Sequence, residues 1–586
     1  MNYDLNKLSK EQQKTSTFAG LKKLFQLIAH EKRTLLIALG AILTNSTLNL
    51  LGPLIIGHTI DKYVQHKDYT GVLHNAAILL CMYVVALFTS YKQTTLMGGV
   101  GQRMLFTLRN SIFNKLQQLP VGFFNQNKAG DLISRVNNDT DKLNQFFSQS
   151  LMQFIGNIST MIGAGIFLLL INIKLGAAAL CPALVILFLT LILSPWIKRT
   201  NALNLKSVGG MSAEIQESLN NFKVIIAFNR RDYFRKRFDI ANRENYRTAI
   251  GAGLANNVFV PVYGLFASIA QLIVLSFGIY LISIGEFSIG LLVSYLSYAT
   301  NFYNPLRQLA ALWTNFQVAM AGWDRISQIL SLETDLPLIA EGITEPSATL
   351  LEFRNVHFGY DESREILHNI SFKLEQGKTY ALVGPTGGGK TTTASLIARL
   401  YDPSKGLVLL DGKDIRTYTS EERSQKIGFI LQEPFLFTGT VKDNILYGND
   451  LYKDYTNEQL ETVIKDANLG NLLAIFESGL ETPIISGGDS ISLGQKQLIA
   501  FMRAVLRNPQ ILILDEATAN IDTITEKLLS DILNNLPATT TRVIIAHRLN
   551  TIENADEIYF VNSGEVIRAG SLNDAMDMLL QGKRAS

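Results

Sequence analysis

The sequence is poor in charged residues and in cysteine, and each shortage excludes some classes of protein. Asp, Glu, Lys and Arg make up 18% of its 586 residues, against about 25% in ordinary soluble proteins. Because 47% of the residues are hydrophobic, this shortage indicates membrane-embedded segments. Two cysteines, Cys81 and Cys181, both in apolar stretches, allow neither a disulfide framework nor a metal cluster, so we expect them to pack.

Strong charge of one sign is also missing, since the net charge is only +3. Such a balance gives no indication of nucleic acid as a partner. The first thirty residues contain several lysines and no early apolar run, so a cleavable secretion signal is not expected and the amino terminus should stay in the cytosol. A chain of this length predicts at least two domains.

What the first half does contain is six long runs without Asp, Glu, Lys or Arg, each close to or above the roughly 20 residues that cross a bilayer. A buried helix of a soluble protein resembles one such run, but six in succession predict an all-α membrane domain with six helices. The runs lie between Arg33 and Asp61, Asp68 and Lys92, Lys142 and Lys174, Lys174 and Lys198, Arg247 and Glu286, and Glu286 and Arg307.

The loops 92–142 and 198–247 are rich in Lys and Arg, whereas the alternate connections are short and nearly neutral. The positive-inside rule therefore places both basic loops in the cytosol. Their spacing favours two long helices per loop, joined by a reversing segment near Gly122–Asp131 or Asn220–Arg231, which could contact a cytosolic domain. The alternative is a solvated hairpin.

A change in hydropathy after Trp323 marks a second domain. Glu333–Thr349 reads as a linker, and apolar strands then alternate with helical patterns, as in a mainly parallel α/β sheet. The expected strands are Tyr380–Val383, Ile427–Leu431, Ile511–Leu514 and Val543–Ala546. We expect a cytosolic segment at 1–32, the membrane domain at 33–325, the linker at 326–349 and the α/β domain at 350–586.

A glycine-rich run follows the first of these strands and opens a helix. Its backbone N–H groups can surround a polyphosphate, Lys390 can meet the β- and γ-phosphates, and Thr391 can bind Mg²⁺. The residues expected to bind nucleotide here are Gly384, Pro385, Thr386, Gly387, Gly388, Gly389, Lys390, Thr391 and Thr392.

Two carboxylates, Asp515 and Glu516, end the strand Ile511–Leu514, at the edge where α/β proteins bind ligands. Asp515 suits a water-mediated Mg²⁺ contact, and Glu516 suits polarising the water that attacks the γ-phosphate. Alone, such a pair is more often a solvated turn. Here it lies about 125 residues after a phosphate loop.

With these motifs the chain resembles, over nearly its whole length, a half-transporter of the ATP-binding cassette (ABC) exporters. The resemblance implies a type I exporter membrane domain that forms a domain-swapped dimer, followed by an α/β P-loop ATPase domain that uses ATP and Mg²⁺. It assigns Tyr360 to stacking on adenine, Gln432 to sensing Mg²⁺ and the attacking water, and His547 to the γ-phosphate. Individually these could be a core tyrosine, a polar strand end and a capping histidine.

The segment Ile491–Gln495 matches the family's signature loop, which presses on the nucleotide held by the other subunit. Ser492, Gly494 and Gln495 are retained, but Leu493 replaces a glycine. The stretch 484–488 lacks the glutamate usual in the crossover loop, and Asn520 stands where alanine is common. An altered signature with Glu516 and His547 intact resembles one half of bacterial heterodimeric multidrug exporters, although homodimers also tolerate this substitution.

The expected function is therefore ATP-driven export across the cytoplasmic membrane, with both termini cytosolic and a second half-transporter as partner. A nucleotide-gated channel or regulator and an importer are the alternatives. Scarce intramembrane charge and several aromatic residues favour an apolar or amphipathic cargo (a drug, lipid or peptide), unless the aromatics merely pack helices or lie at the membrane interface. These aromatic residues are Phe259, Tyr263, Phe277, Tyr295, Tyr298, Phe302 and Tyr303.

Overall fold

The computed structural model describes residues 3–5, 29–333, 336–340, 342–345, 349–361, 364–485, 491–515, 523–545, 555–570 and 572–581. The chain divides into two compact units. The membrane unit comprises Ser9–Leu116 and Gly130–Ser331, and the ATP-binding unit comprises Met1–Leu8, Gln117–Ala129 and Leu332–Ser586.

In the part of the first 331 residues that the structure describes, long helices carry the apolar runs and short helices lie at the reversals of the two basic loops and just after the first of them. They are α1 (Lys32–Thr59), α2 (Tyr69–Gln118), α3 (Val121–Gln126), α4 (Ala129–Ser134), α5 (Thr140–Gln145), α6 (Leu151–Ile171), α7 (Ile173–Asn220), α8 (Phe222–Ala227), α9 (Arg231–Asn257), α10 (Phe259–Ser283) and α11 (Ile289–Leu330). Short π-helical turns lie at Ile60–Val64, Arg135–Asp139 and Phe146–Ser150. Both basic loops thus contain the expected long helices, and α3 and α8 are the reversing segments.

Five helical stretches in the described residues are long and apolar enough to cross a membrane: Lys32–Val64, Tyr69–Gln118, Ala129–Ile171, Ile173–Asn220 and Arg231–Ser283. The sixth predicted span lies within α11, which is helical there but is not among these five. Its first turns contain serine, asparagine and tyrosine, which lower the mean hydropathy. α11 also continues to Leu330, inside the range expected for the linker.

The polar side chains of α11 bond to the backbones of neighbouring helices. The Tyr298 hydroxyl donates to the Leu50 carbonyl at 2.7 Å, the Tyr303 hydroxyl to Ala179 at 2.7 Å, and Tyr295 to Leu168. All three rings are buried. These tyrosines therefore pack helices, which supports the packing interpretation of the aromatic residues.

The ATP-binding unit contains a six-stranded sheet in the order β12-β11-β3-β10-β9-β6 and a four-stranded antiparallel sheet in the order β2-β1-β4-β5. The strands are β1 (Leu351–Phe358), β2 (Leu367–Leu374), β3 (Thr379–Val383), β4 (Lys405–Leu410), β5 (Lys413–Asp414), β6 (Ile427–Ile430), β7 (Gly439–Thr440), β8 (Pro483–Ile484), β9 (Ile511–Asp515), β10 (Thr541–Ile545), β11 (Glu557–Asn562) and β12 (Glu565–Ala569). All four predicted strands are present.

The described chain from Lys390 onward also contains helices, and the central strands β3, β9 and β10 of the six-stranded sheet are almost fully buried. These helices are α12 (Lys390–Ile397), α13 (Ser420–Lys426), α14 (Val441–Ile445), α15 (Asn457–Asp466), α16 (Gly470–Leu473), α17 (Leu493–Val505), α18 (Thr523–Asn534) and α19 (Leu572–Gln581). Because β11, β3, β10, β9 and β6 run parallel, their carboxyl ends form one edge, where a ligand site is expected.

Candidate nucleotide-binding site

The phosphate loop connects β3 to α12 with a backbone that only glycine adopts readily. Gly384, Gly387 and Gly389 have φ of +147°, +82° and +115°, a region that disfavours side chains. A Cβ on Gly384 would also overlap the Val561 carbonyl oxygen. Pro385 and Thr386 complete the turn, which the Gly388 N–H closes on the Pro385 carbonyl at 3.1 Å.

Lys390 begins α12 and turns back over this loop. It is only 5% exposed, and its ammonium group donates to the carbonyls of Gly384 at 2.9 Å and Pro385 at 3.0 Å. The first N–H groups of a helix and its dipole attract anions. The loop therefore combines a cation, a helix amino terminus and glycine backbone, as phosphate binding requires.

Oxygen ligands suited to Mg²⁺ lie beside the loop. The Thr391 hydroxyl donates to the Asp515 carboxylate at 3.4 Å, and Asp515 is 3% exposed at the end of β9. Gln432 follows the neighbouring strand β6, so it lies at the same sheet edge. Hydroxyl, carboxylate and amide oxygens are hard ligands that fit Mg²⁺, so Thr391, Asp515 and Gln432 are the residues that would hold this ion.

Tyr360 has the geometry of a stacking platform. Its ring is 43% exposed and is fixed edge-on by Phe358 at 5.0 Å and Tyr401 at 5.2 Å. Its hydroxyl lies 3.0 Å from the Thr392 hydroxyl in the first turn of α12. Part of the Tyr360 ring is therefore exposed next to the phosphate loop.

The signature segment forms the amino-terminal cap of α17. The Ser492 side chain accepts from the Gln495 N–H at 3.2 Å, and the Gln495 side chain accepts from the Ser492 N–H at 2.9 Å, which is a capping box. Leu493 and Gly494 are the first helical residues, and Leu493 has no positive φ. The leucine thus fits the backbone without strain and leaves its side chain 37% exposed.

Several predicted residues lie outside the described part of the chain, namely Glu516, His547, Asn520 and crossover-loop positions 486–488. The strands before Glu516 and His547 end in register, with Asp515 opposite Ile545. Sequence reasoning missed Asn444 and Arg503, which join the segment after Gln432 to α17. Burial lowers the pKa of the Arg503 guanidinium.

The fold and the site define a multi-pass membrane protein fused to a P-loop ATPase. The family model described as "ABC transporter transmembrane region" matches residues 35–306, and the one described as "ABC transporter" matches residues 367–519. The chain belongs to the ABC transporter family, and its organisation is that of an exporter half-transporter, in which ATP hydrolysis is coupled to transport.

Curated relatives match between 85% and 94% of the chain. An uncharacterised ABC transporter ATP-binding protein of Bacillus subtilis, YfiC, is 33% identical over 94% of this chain and 91% of its own length. A multidrug resistance ABC transporter ATP-binding and permease protein of Lactococcus lactis is 31% identical over 85% and 84%. A fatty acid ABC transporter ATP-binding/permease protein of Mycobacterium bovis is 30% identical over 86% and 80%.

Proposed function

We propose that this chain is one subunit of a dimeric exporter that moves an apolar or amphipathic molecule across the cytoplasmic membrane by alternating access. The observation that carries the proposal is the phosphate loop, with Lys390 and the Thr391–Asp515 pair, in one chain with the membrane helices. The relatives' names, multidrug and fatty acid, favour a hydrophobic cargo. Both termini would then lie in the cytosol.

In this mechanism, Gly384 to Thr392 hold the phosphates of ATP, and Tyr360 supports the base. Thr391, Gln432 and Asp515 would hold Mg²⁺, which screens charge that develops on the phosphates. Glu516 polarises the attacking water and His547 bonds the γ-phosphate. Ser492, Gly494 and Gln495 contact the nucleotide bound to the partner subunit.

ATP binding then clamps the two ATP-binding units together and biases the membrane helices toward the outward-open state. Hydrolysis at Glu516 resets the cycle. Because Leu493 alters the signature segment, we propose a heterodimer whose partner supplies the full signature and a weakened catalytic glutamate. A homodimer is the second possibility.

The first experiment uses the full chain alone, reconstituted in lipid, with ATP turnover measured against a Glu516→Gln control and the oligomeric mass measured in parallel. Turnover by a dimer that the control abolishes supports a homodimer. A chain that binds ATP without turnover supports the heterodimer. Leu493→Gly sharpens the test, because a restored signature should raise turnover of the chain alone if Leu493 limits it.

Transport is tested in inside-out vesicles with a hydrophobic cationic dye and a fluorescent fatty acid. ATP-dependent accumulation that Glu516→Gln stops is the expected result. Accumulation by Glu516→Gln at the wild-type rate contradicts ATP-driven export. Dissipation of an imposed substrate gradient on ATP binding alone would identify a gated channel instead.

A further inference from the structure

Two described amino-terminal residues, Tyr3 and Leu5, are 1% and 0% exposed within the ATP-binding unit. Their backbone is held by two side-chain amides. The Tyr3 N–H donates to Gln126 Oε1 at 2.7 Å, the Leu5 N–H donates to Asn127 Oδ1 at 3.2 Å, and Asn127 Nδ2 donates to the Tyr3 carbonyl at 2.8 Å. The side chains of Gln126 and Asn127 thus form the hydrogen bonds with the backbone of Tyr3 and Leu5 that a neighbouring strand would otherwise form.

The Tyr3 side chain adds two further contacts. Its ring lies edge-on to the buried ring of Phe123, with the centroids 6.3 Å apart, a favoured aromatic geometry. Its hydroxyl donates to the Glu333 carbonyl at 3.2 Å, just after α11. Tyr3 therefore joins the reversing segment α3 to the first residues that follow the last membrane helix.

Two other residues of α3 contact Tyr401, which packs against the Tyr360 ring. Asn125 Nδ2 donates to the Tyr401 hydroxyl at 2.7 Å, and Gly122 approaches the same ring so closely that a Cβ would lie 3.3 Å from it. Tyr401 in turn fixes the ring of Tyr360. A cavity of about 520 Å³ is lined by Tyr3 and α3 on one part of its wall and by Tyr360 and Tyr401 on another.

We propose that Tyr3 is a positioning residue for nucleotide binding: it holds α3 against Tyr401 and so keeps the Tyr360 ring in the orientation that stacks on the base. The inference rests on the role proposed above for Tyr360. Because coupling between two sites is reciprocal, bound nucleotide should also strengthen the docking of Tyr3 on α3.

The test measures the Kd of a ribose-labelled fluorescent, non-hydrolysable ATP analogue for the full chain in lipid nanodiscs, which needs no catalytic partner. Tyr3→Ala should raise the Kd by about threefold to tenfold, which lies within the range of couplings carried through packed side chains. Tyr3→Phe keeps the ring on Phe123 and should stay within about twofold. Gln126→Ala leaves the ring intact, removes one backbone acceptor and should raise the Kd less than Tyr3→Ala does.

The matched control is Tyr69→Ala, which removes an 83% exposed tyrosine at the start of α2 and should leave the Kd unchanged. Asn125→Ala breaks the contact with Tyr401, so Tyr3→Ala should add little further effect in that background. A role confined to stability would lower the Tm equally with and without nucleotide and leave the Kd unchanged.

If Tyr360→Ala weakens binding while Tyr3→Ala, Gln126→Ala and Asn125→Ala do not, the positioning role is wrong and the stacking role of Tyr360 stands. If Tyr360→Ala also has no effect, both are wrong. Equal effects of Tyr3→Ala with and without Asn125 would contradict the route through Tyr401. Should Tyr3→Ala fail to fold, Gln126→Ala decides between the same outcomes.

Discussion

At the scale of single residues, one buried amide organises the segment that follows Gln432. Asn444 is 0% exposed, accepts from the Phe437 N–H at 2.8 Å, and donates to the carbonyls of Phe437 at 2.8 Å and Thr440 at 3.0 Å. Arg503 of α17 donates to the Asn444 carbonyl at 2.8 Å. Arg503 also donates to the Asn444 side-chain oxygen at 3.1 Å, so the Asn444 side chain links the segment that follows Gln432 to α17.

We expect Asn444→Ala to destabilise the ATP-binding unit by about 2–3 kcal/mol, because it leaves buried backbone groups and part of Arg503 without partners. The measurement is the Tm of the full chain in nanodiscs. Asn534→Ala, at an exposed position at the end of α18, is the control and should change the Tm little. Equal Tm values for the two variants would contradict the structural role of Asn444.

The sequence predicts a site residue when that residue belongs to a short motif with a fixed spacing. The glycines of the phosphate loop and the signature residues Ser492, Gly494 and Gln495 lie in short runs with a fixed spacing, so the sequence predicts them. Asn444, Arg503 and Tyr3 act through partners far along the chain or in no recurring pattern. A lone asparagine, arginine or tyrosine carries no such spacing, so these three were missed.

At the scale of elements, the first and last membrane helices cross at glycine. A Cβ on Gly57 of α1 would lie 2.5 Å from the Gly290 carbonyl oxygen of α11, and one on Gly290 would overlap the Gly57 carbonyl. Beside this crossing, Asp61 accepts from the Ser288 hydroxyl and from the Gly290 N–H, the latter at 2.8 Å. Small residues permit such close approach of membrane helices.

Gly57→Ala should force α1 and α11 apart and cost about 1–3 kcal/mol, as overpacking of a close contact does. We would measure it as a lower Tm in lipid. Gly40→Ala lies on the same helix with nothing within 4 Å of its added Cβ, and it should be neutral or slightly stabilising because alanine favours helix. A Gly57→Ala variant as stable as Gly40→Ala would show that the helices do not cross this closely.

The same elements explain why five of the predicted spans are confirmed by composition and the sixth is not. The five stretches expose apolar side chains along much of their length, whereas α11 buries Tyr295, Tyr298 and Tyr303 against other helices. The hydropathy scale counts these tyrosines as polar because of their hydroxyl groups, although each hydroxyl is hydrogen-bonded within the membrane unit. Absence of charge therefore predicts this helix better than mean hydropathy does.

At the scale of the whole molecule, the short helix α8 presents an apolar surface that nothing covers within the described part of this chain. Phe222 and Val224 of α8 are each 54% exposed and Phe228, directly after α8, is 74% exposed, whereas Ile225 is buried. Exposed apolar patches mark interaction sites. We propose that, in the dimer, the ATP-binding unit of the partner subunit covers this surface of α8.

The double variant Phe222→Ser, Phe228→Ser tests this arrangement. It removes apolar contact only in the assembled transporter, so we expect ATP turnover of the dimer to fall about tenfold while the Tm of the separate chain stays within a degree or two. Leu451→Ser, which alters a 74% exposed leucine of the ATP-binding unit, controls for loss of surface hydrophobicity. Because α8 lies at the reversal between α7 and α9, loss of its contact with the partner should lower ATP turnover even where the dimer persists. Measurements of the oligomeric mass separate loss of the dimer from loss of turnover within an intact dimer. Unchanged turnover and unchanged mass would mean that α8 does not contact the partner.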